Sequence, residues 1–337
     1  MALSAIELEI PEKTKRDLES GYNQVLARNI ILQQVFVEFV SMLNDEQIPV
    51  VPLKGIYLSE VVYKDIGVRH LSDIDVLIKN NDLEYICELM KKHGWSVTSA
   101  MVHSNLEAQE FTHAHPATLV KGQMRIELHT HLYNGNQGAD ISESDLWADT
   151  NLEQFLGVEI RQLSNELLLQ HLCLHLHKHL FGQELKILGF CDIREFLAMS
   201  KDRFSWKQFE DIAVNYKCKE EIDQILYLCV KYWNISVPKK FFNSEIPQAK
   251  LEERFWSFTG GISKKENHFL DKINGTTDKV SQLKTKRDRL TYLFGFVFPS
   301  PAFMRNRYQL DQERWLLLWY LYRPLDLAIK TIRAFFG

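Results

Sequence analysis

The feature that most constrains this chain is a change of periodicity part-way along it. From about residue 48 to 135, short apolar runs of strand type alternate with helical patterns; from about Ser164 onward, nearly everything periodic repeats at helical spacing. "IPVVPLKG", "IDVLI" and "WSVTSA" read as strands, and "ATLVKGQMRIELHTHLY" reads as a hairpin turning at Lys121-Gly122. Between them lie two helical patterns, "IYLSEVVYKD" and "NDLEYICELMKKHG". The second has Asn81 or Asp82 as its cap and Gly94 as its stop. Ahead of them, Lys13 to Asn44 carries Leu18, Tyr22, Val25, Leu26, Ile30, Leu32, Val35, Phe36, Phe39, Val40 and Leu43 at helical spacing, which predicts one long amphipathic helix. Behind them come "NELLLQHLCLHLHKHLF", "GFCDIREFLAMS", "WKQFEDIAVNY" and "EEIDQILYLCVKYW", with "NGNQGAD" as an intervening loop. This order predicts an α+β chain: an N-terminal helical segment (1–48), a small mixed-sheet core (49–160) and an all-helical domain (161–337).

Charge and cysteine usage narrow the class. A formal net charge of -4 lacks the basic balance that marks a nucleic-acid partner, so none is expected. Cys87, Cys173, Cys191, Cys218 and Cys229 are scattered and form no Cys-x-x-Cys pair, which fits a reducing compartment. The first residues meet acids and a proline too early for a secretory signal, and no uninterrupted apolar run is long enough to span a bilayer. A cytoplasmic protein without a membrane span is expected. The polar, locally basic "SKKENHFLDKINGTTDKVSQLKTKRDRL" reads as a solvated helix or loop. The C-terminal "WLLLWYLYRPLDLAIKTIRAFFG" reads as a helix closing the core, or else as an interfacial helix on a membrane surface.

The run "RHLSDIDVLIKNND", Arg69 to Asp82, sets two aspartates inside what is otherwise a buried strand. Residues two apart in a strand share a face, so Asp73 and Asp75 are expected side by side. Carboxylates that close repel unless a cation sits between them; the bland alternative is a strand end with two solvated acids. Glu127 in "MRIELHTHL" points opposite to Ile126 and Leu128, either into solvent or as a third carboxylate from a neighbouring strand. Hard divalent cations, magnesium first and manganese second, prefer such oxygens, and three carboxylates can hold ions for an in-line displacement at phosphorus. His129 shares the face of Glu127 as a supporting group. Arg69 and Lys54 are the cations available for phosphate oxygens, against the plainer reading of surface cations paired with acids. His171, His175 and His179 recur at i, i+4 and i+8, while His177 points elsewhere. Without an HExxH arrangement this is a poor metal motif. His175 and His179 either line the nucleotide side of a cleft or are ordinary core histidines, with Asp192 as an orienting partner.

Taken together, "VPLKG", "GVRHLSDIDVLI" and "IELHTHL" resemble the nucleotidyltransferase core of the DNA polymerase β-like superfamily. The nearest resemblance is to the group described as uncharacterised nucleotidyltransferases, with its Leu-Lys-Gly, Gly-x-Arg-x-x-x-Asp-Ile-Asp and later acid-x-His. It extends to "HLCLHLHKHLF", to Asp192 in "FCDIREFL" and to "FPSPAFMRNRY". The resemblance implies that Asp73, Asp75 and Glu127 are catalytic metal ligands and that Gly55 lies where backbone meets the triphosphate. It implies magnesium-dependent transfer of a nucleoside monophosphate from a nucleoside triphosphate to a hydroxyl on a small molecule or a protein. One departure is that Gly55 stands eighteen residues before Asp73, further than the small-residue pair of the wider superfamily. Should Glu127 not be the third acid, Glu110 and Asp140 are next in line. Two other classes compete. A metal-dependent glycosyltransferase using a nucleotide-sugar normally has a larger α/β unit before its Asp-x-Asp than the roughly seventy residues here. A non-catalytic nucleotide-binding or regulatory module of the same fold would have no need of all three acids.

Overall fold

The computed structural model describes residues 10–99, 117–133, 141–181, 186–242, 246–258, 286–299, 304 and 316–336. The architecture is α+β: a long N-terminal helix, a five-stranded sheet and a helical C-terminal region.

Helix α1 (Glu12–Asp45) forms as its spacing requires. Leu32, Phe36, Phe39, Val40 and Leu43 fall on one face and are wholly buried, whereas Leu18, Tyr22 and Ile30 of the expected stripe are exposed, so the core is met by the second half of the helix. It is the one described helix long and apolar enough to cross a membrane by length and composition, yet that face belongs to the core. The chain then turns through Gln47 at φ 57 into strand β1 (Val51–Leu53). β1 is at the edge of the sheet, where Pro52 and its missing N–H are tolerated. Helix α2 (Lys54–Val61) follows without a linker, and strand β2 (Ile74–Leu77) returns antiparallel to β1, pairing Leu53 with Asp75. After a 3-10 turn come helix α3 (Leu83–Lys92), strand β3 (Ser96–Ser99), strand β4 (Ala117–Lys121) and strand β5 (Met124–His129). The sheet order is β1-β2-β5-β4-β3. The β4–β5 turn is Gly122-Gln123, one residue beyond the expected position, because Gly122 at φ 60 supplies the positive φ of a two-residue hairpin.

Helix α4 (Glu143–Ala148) precedes a second hairpin, strands β6 (Thr150–Phe155) and β7 (Val158–Leu163). The sequence reading had no strands here, because "TNLEQF" lacks clean alternation. The signal lies in the turn, where Leu156 (φ 51) and Gly157 (φ 84) both take positive φ, as a tight two-residue turn requires. The helices α5 (Asn165–Phe181), α6 (Ile187–Ser200), α7 (Trp206–Asn215) and α8 (Lys219–Trp233) follow, with α5 packed on the other three. Phe190, Phe196, Phe209, Ile222 and Cys229 are fully buried among them. Helices α9 (Gln248–Ser257), α10 (Lys286–Val297) and α11 (Leu316–Phe336) complete the described chain. Contacts group Met1–Ser96, Leu119–Glu127 and Leu152–Gln162 into one compact unit, and Val97–Thr118, Leu128–Asn151 and Leu163–Gly337 into another.

Three local expectations change. No side-chain cap from Asn81 or Asp82 opens α3; the preceding 3-10 turn already supplies its first backbone bonds. Asp73 sits in a bend before β2, so it is not a strand residue beside Asp75. Helix α11 does not bury its apolar side, for Leu317 and Leu321 are 77% and 74% exposed. "NGNQGAD", Glu110, Asp140, most of the polar segment after residue 262 and most of "FPSPAFMRNRY" lie outside the described residues.

Candidate active site

The site is built on two adjacent strands. On β5, Ile126 and Leu128 are fully buried on one face, so Arg125, Glu127 and His129 take the other. On β2, Asp75 is set among Ile74, Val76 and Leu77, all fully buried, and is itself only 8% exposed. Asp75, Glu127 and His129 each offer a ligating atom, and these atoms all lie within 4.8 Å of one another. Such a convergence is costly for the free protein. Burial raises the Glu127 carboxyl to about 7, and the charges of Asp75 and Asp73 push it the same way, while Lys54 and Arg125 pull it down. Two carboxylates and an imidazole, held this close, form a donor set suited to a hard or borderline divalent cation.

The cations around the acids come from backbone geometry. Lys54 is the residue where β1 becomes α2, and it takes a positive φ of 46°, uncommon for a side chain with a Cβ. That conformation lets its Nζ return to Asp75 Oδ1 at 3.0 Å, with both side chains largely buried. Arg125 reaches Glu127 more loosely, at 3.6 Å from an exposed position. Arg69 is 8% exposed, and its guanidinium lies over the Cα of Gly55. A Cβ at position 55 would meet Arg69 Nη1 at 2.8 Å and Leu71 Cδ2 at 2.9 Å, so any larger residue there displaces those two side-chain ends. Gly55 thus has a structural reason independent of any phosphate.

Asp73 stands just outside the compact set, accepting a 2.8 Å hydrogen bond from Ser72 Oγ, although its charge is felt at Glu127. The loop that carries Arg69 and Asp73 is strapped to α1. Asn29, fully buried, donates from Nδ2 to the carbonyls of Ile66 and Arg69 (2.7 Å to the latter), and its Oδ1 accepts the Leu71 N–H at 3.2 Å. Arg28 donates to the Leu71 carbonyl at 2.9 Å and to that of Ser72 at 2.8 Å. Tyr22 donates to Asp65 Oδ1 at 2.9 Å, and its ring covers Gly67. The sequence reading missed Arg28 and Asn29. The available signal was an asparagine one turn before Leu32 on the buried stripe, which a core helix admits only when its amide is satisfied.

The histidines of α5 lie in the helical unit. His175 and His179 approach through their Nε2 atoms at 3.1 Å, an i, i+4 contact along one face, and both are half-buried. His171 is buried against the Tyr133 ring. His177 bonds Gln224 Oε1 at 3.3 Å, and burial lowers it to about 4. Asp192 is buried on α6.

Residues 2–234 match the family described as uncharacterised nucleotidyltransferase. No curated protein matches the chain. A solved structure of a tRNA-processing enzyme (apo form I) aligns over 97% of this chain and 92% of its own, at 13% identity and a TM-score of 0.26, a likeness too loose to bear on fold or activity. With more than half of the chain inside the family match, this protein belongs to the uncharacterised nucleotidyltransferase family, a family of transferases.

Proposed function

We propose that the protein transfers a nucleoside monophosphate from a nucleoside triphosphate to a hydroxyl on a small molecule or a protein, with magnesium, or manganese in its place, as the cofactor. The observation that carries this reading is the convergence of Asp75, Glu127 and His129, with the Glu127 carboxyl raised to about 7 beside two further acids. Asp75 and Glu127 would hold the metal from β2 and β5, His129 would support it from the same strand face, and Asp73 would add its charge from the bend before β2. When bound, the cation supplies neutralisation of the charge that develops on the phosphate and on the leaving pyrophosphate.

The remaining roles belong to the chain. The acceptor oxygen bonds to the α-phosphorus as the bond from that phosphorus to the bridging oxygen breaks. Pyrophosphate leaves with the electron pair, and the acceptor proton passes to Glu127. Lys54, paired with Asp75 at 3.0 Å, places an ammonium beside the acids where triphosphate oxygens would approach. Arg69, with its planar fork fixed against Gly55, takes a second set of phosphate oxygens. His175 and His179 are assigned to nucleotide recognition.

The test is incubation with each labelled nucleoside triphosphate and magnesium, alongside nucleotide-sugars, followed by mass spectrometry of candidate acceptors and of the protein itself. A monophosphate adduct with release of pyrophosphate, lost in Glu127→Gln, supports the reading. Glycosyl transfer from a nucleotide-sugar would replace it.

A further inference from the structure

The helical unit contains two helices whose apolar faces are turned outward. On α10, Leu290, Leu293 and Phe294 follow at i, i+3 and i+4 and are 68%, 42% and 65% exposed. With Val297 and Phe298 they line an open apolar groove. On α11, Leu317, Leu321, Leu325 and Ile329 recur every four residues and are exposed in turn, with Leu318 beside them. Among the described side chains of α11 the buried one is Arg323, 6% exposed, on the opposite side of the helix. This inverts the pattern of a water-facing helix, which buries its aliphatics and exposes its charges. Because α10 and α11 touch, the two stripes belong to one region of the surface. An exposed apolar area of that kind marks a binding face.

Charge selects the occupant. Lys286, Arg287 and Arg289 open α10 and all three are exposed. At 100° per residue, Arg287 and Arg289 fall on the two flanks of the Leu290–Leu293–Phe294 stripe. Long cationic side chains on both flanks of an apolar stripe can reach lipid phosphates while the stripe enters the acyl boundary. A second copy of the chain meeting this face symmetrically would set the same three cations against each other, which disfavours self-association. Pro324 and Asp326, together with the buried Arg323, interrupt the middle of α11, which suits a helix lying in the interface plane and not one that crosses it. We propose that α10 and α11 form an interfacial membrane-binding face selective for anionic phospholipid. The inference is independent of the nucleotidyl-transfer reading.

The test is sedimentation of the full chain with vesicles of phosphatidylcholine alone and of phosphatidylcholine mixed with phosphatidylglycerol, with light scattering of the protein by itself. Wild type should bind the mixed vesicles at least tenfold more tightly than the neutral ones, and high salt should reduce the difference. Phe294→Glu with Leu321→Glu should abolish binding to both, with an unchanged thermal midpoint because both side chains are exposed. Arg287→Glu with Arg289→Glu should erase the anionic preference alone. Wild type that stays in solution with both vesicles, or binds both equally, overturns the proposal. So does a concentration-dependent oligomer that Leu321→Glu dissolves while lipid binding is absent.

Discussion

The strand pair β2–β5 and the histidine helix α5 both bury ionisable groups, and they do it in opposite ways. Around Glu127 the neighbours add to the cost of charge: burial, Asp75 and Asp73 all raise its carboxyl, and Lys54 and Arg125 only partly offset them. Along α5 the His177 imidazole is instead held neutral by burial. His177 is lowered to about 4 and bonded to Gln224, and His175 meets His179 through Nε2. Hydrogen-bonded neutral imidazoles stabilise a fold and ask for nothing more. Crowded carboxylates leave unmet electrostatic demand, the pattern that functional sites carry. The difference sets Glu127, whose charge its neighbours oppose, apart from His177, whose neutral ring already has its partner.

The largest effect should come from removing a strand carboxylate. Asp75→Asn should cut nucleotidyl transfer by roughly 10³-fold, the scale seen when a preorganised electrostatic group at a reacting phosphate is lost. Steady-state rates with saturating magnesium would measure it, and activity within tenfold of wild type would remove Asp75 from the site.

The next test sets the two regions against each other by pH, in metal-free buffer. Glu127 binds its proton more tightly when folded (about 7) than when unfolded (about 4.5), so its contribution to stability falls as pH rises through that window. His177 binds its proton less tightly when folded (about 4) than when unfolded (about 6.5), so its contribution falls as pH drops through its own window. The two slopes oppose each other, each on the order of 3 kcal/mol in full. Denaturant melts from pH 7 to pH 5 should show Glu127→Gln losing stability relative to wild type, and His177→Gln gaining it. Magnesium should flatten the Glu127 slope and leave that of His177 unchanged.

Asn29→Ala should cost about 2 kcal/mol, because three buried backbone partners lose their amide. It should also lower kcat, since the loop bearing Arg69 and Asp73 is no longer held to α1; an unchanged kcat in the folded fraction would make the strap purely structural. Gly55→Ala should raise KM for the triphosphate severalfold by displacing the Arg69 guanidinium, with little effect on the thermal midpoint. The smallest effect concerns α5 itself. His179→Ala should weaken triphosphate affinity about threefold, as expected for one lost hydrogen bond, whereas no change in calorimetric Kd would assign the whole helix to packing.

How much of this was legible depends on the range of the interaction. The helix from Lys13 to Asn44, the alternation of β5 and the helical C-terminal half follow from local periodicity, because burial of one face imposes a repeat that the residues must carry. The acids could be named from the sequence for a related reason: a carboxylate inside an apolar strand is a local contradiction. Their grouping could not. Asp73 shares the Asp-x-Asp motif, yet the bend at Ser72-Asp73 keeps it outside the compact set. His129, some fifty residues downstream of Asp75, enters that set because β5 lies beside β2. Neither the positive φ of Lys54 nor the strap from Arg28 and Asn29 has a sequence period, since both are fixed by what the rest of the chain places opposite them. The sequence by itself determined the elements that carry a clear period, though not the β6–β7 hairpin, and the chemistry available on each. Only the tertiary structure decided which charges meet, because strand neighbourhood and electrostatic coupling act through space and not along the chain.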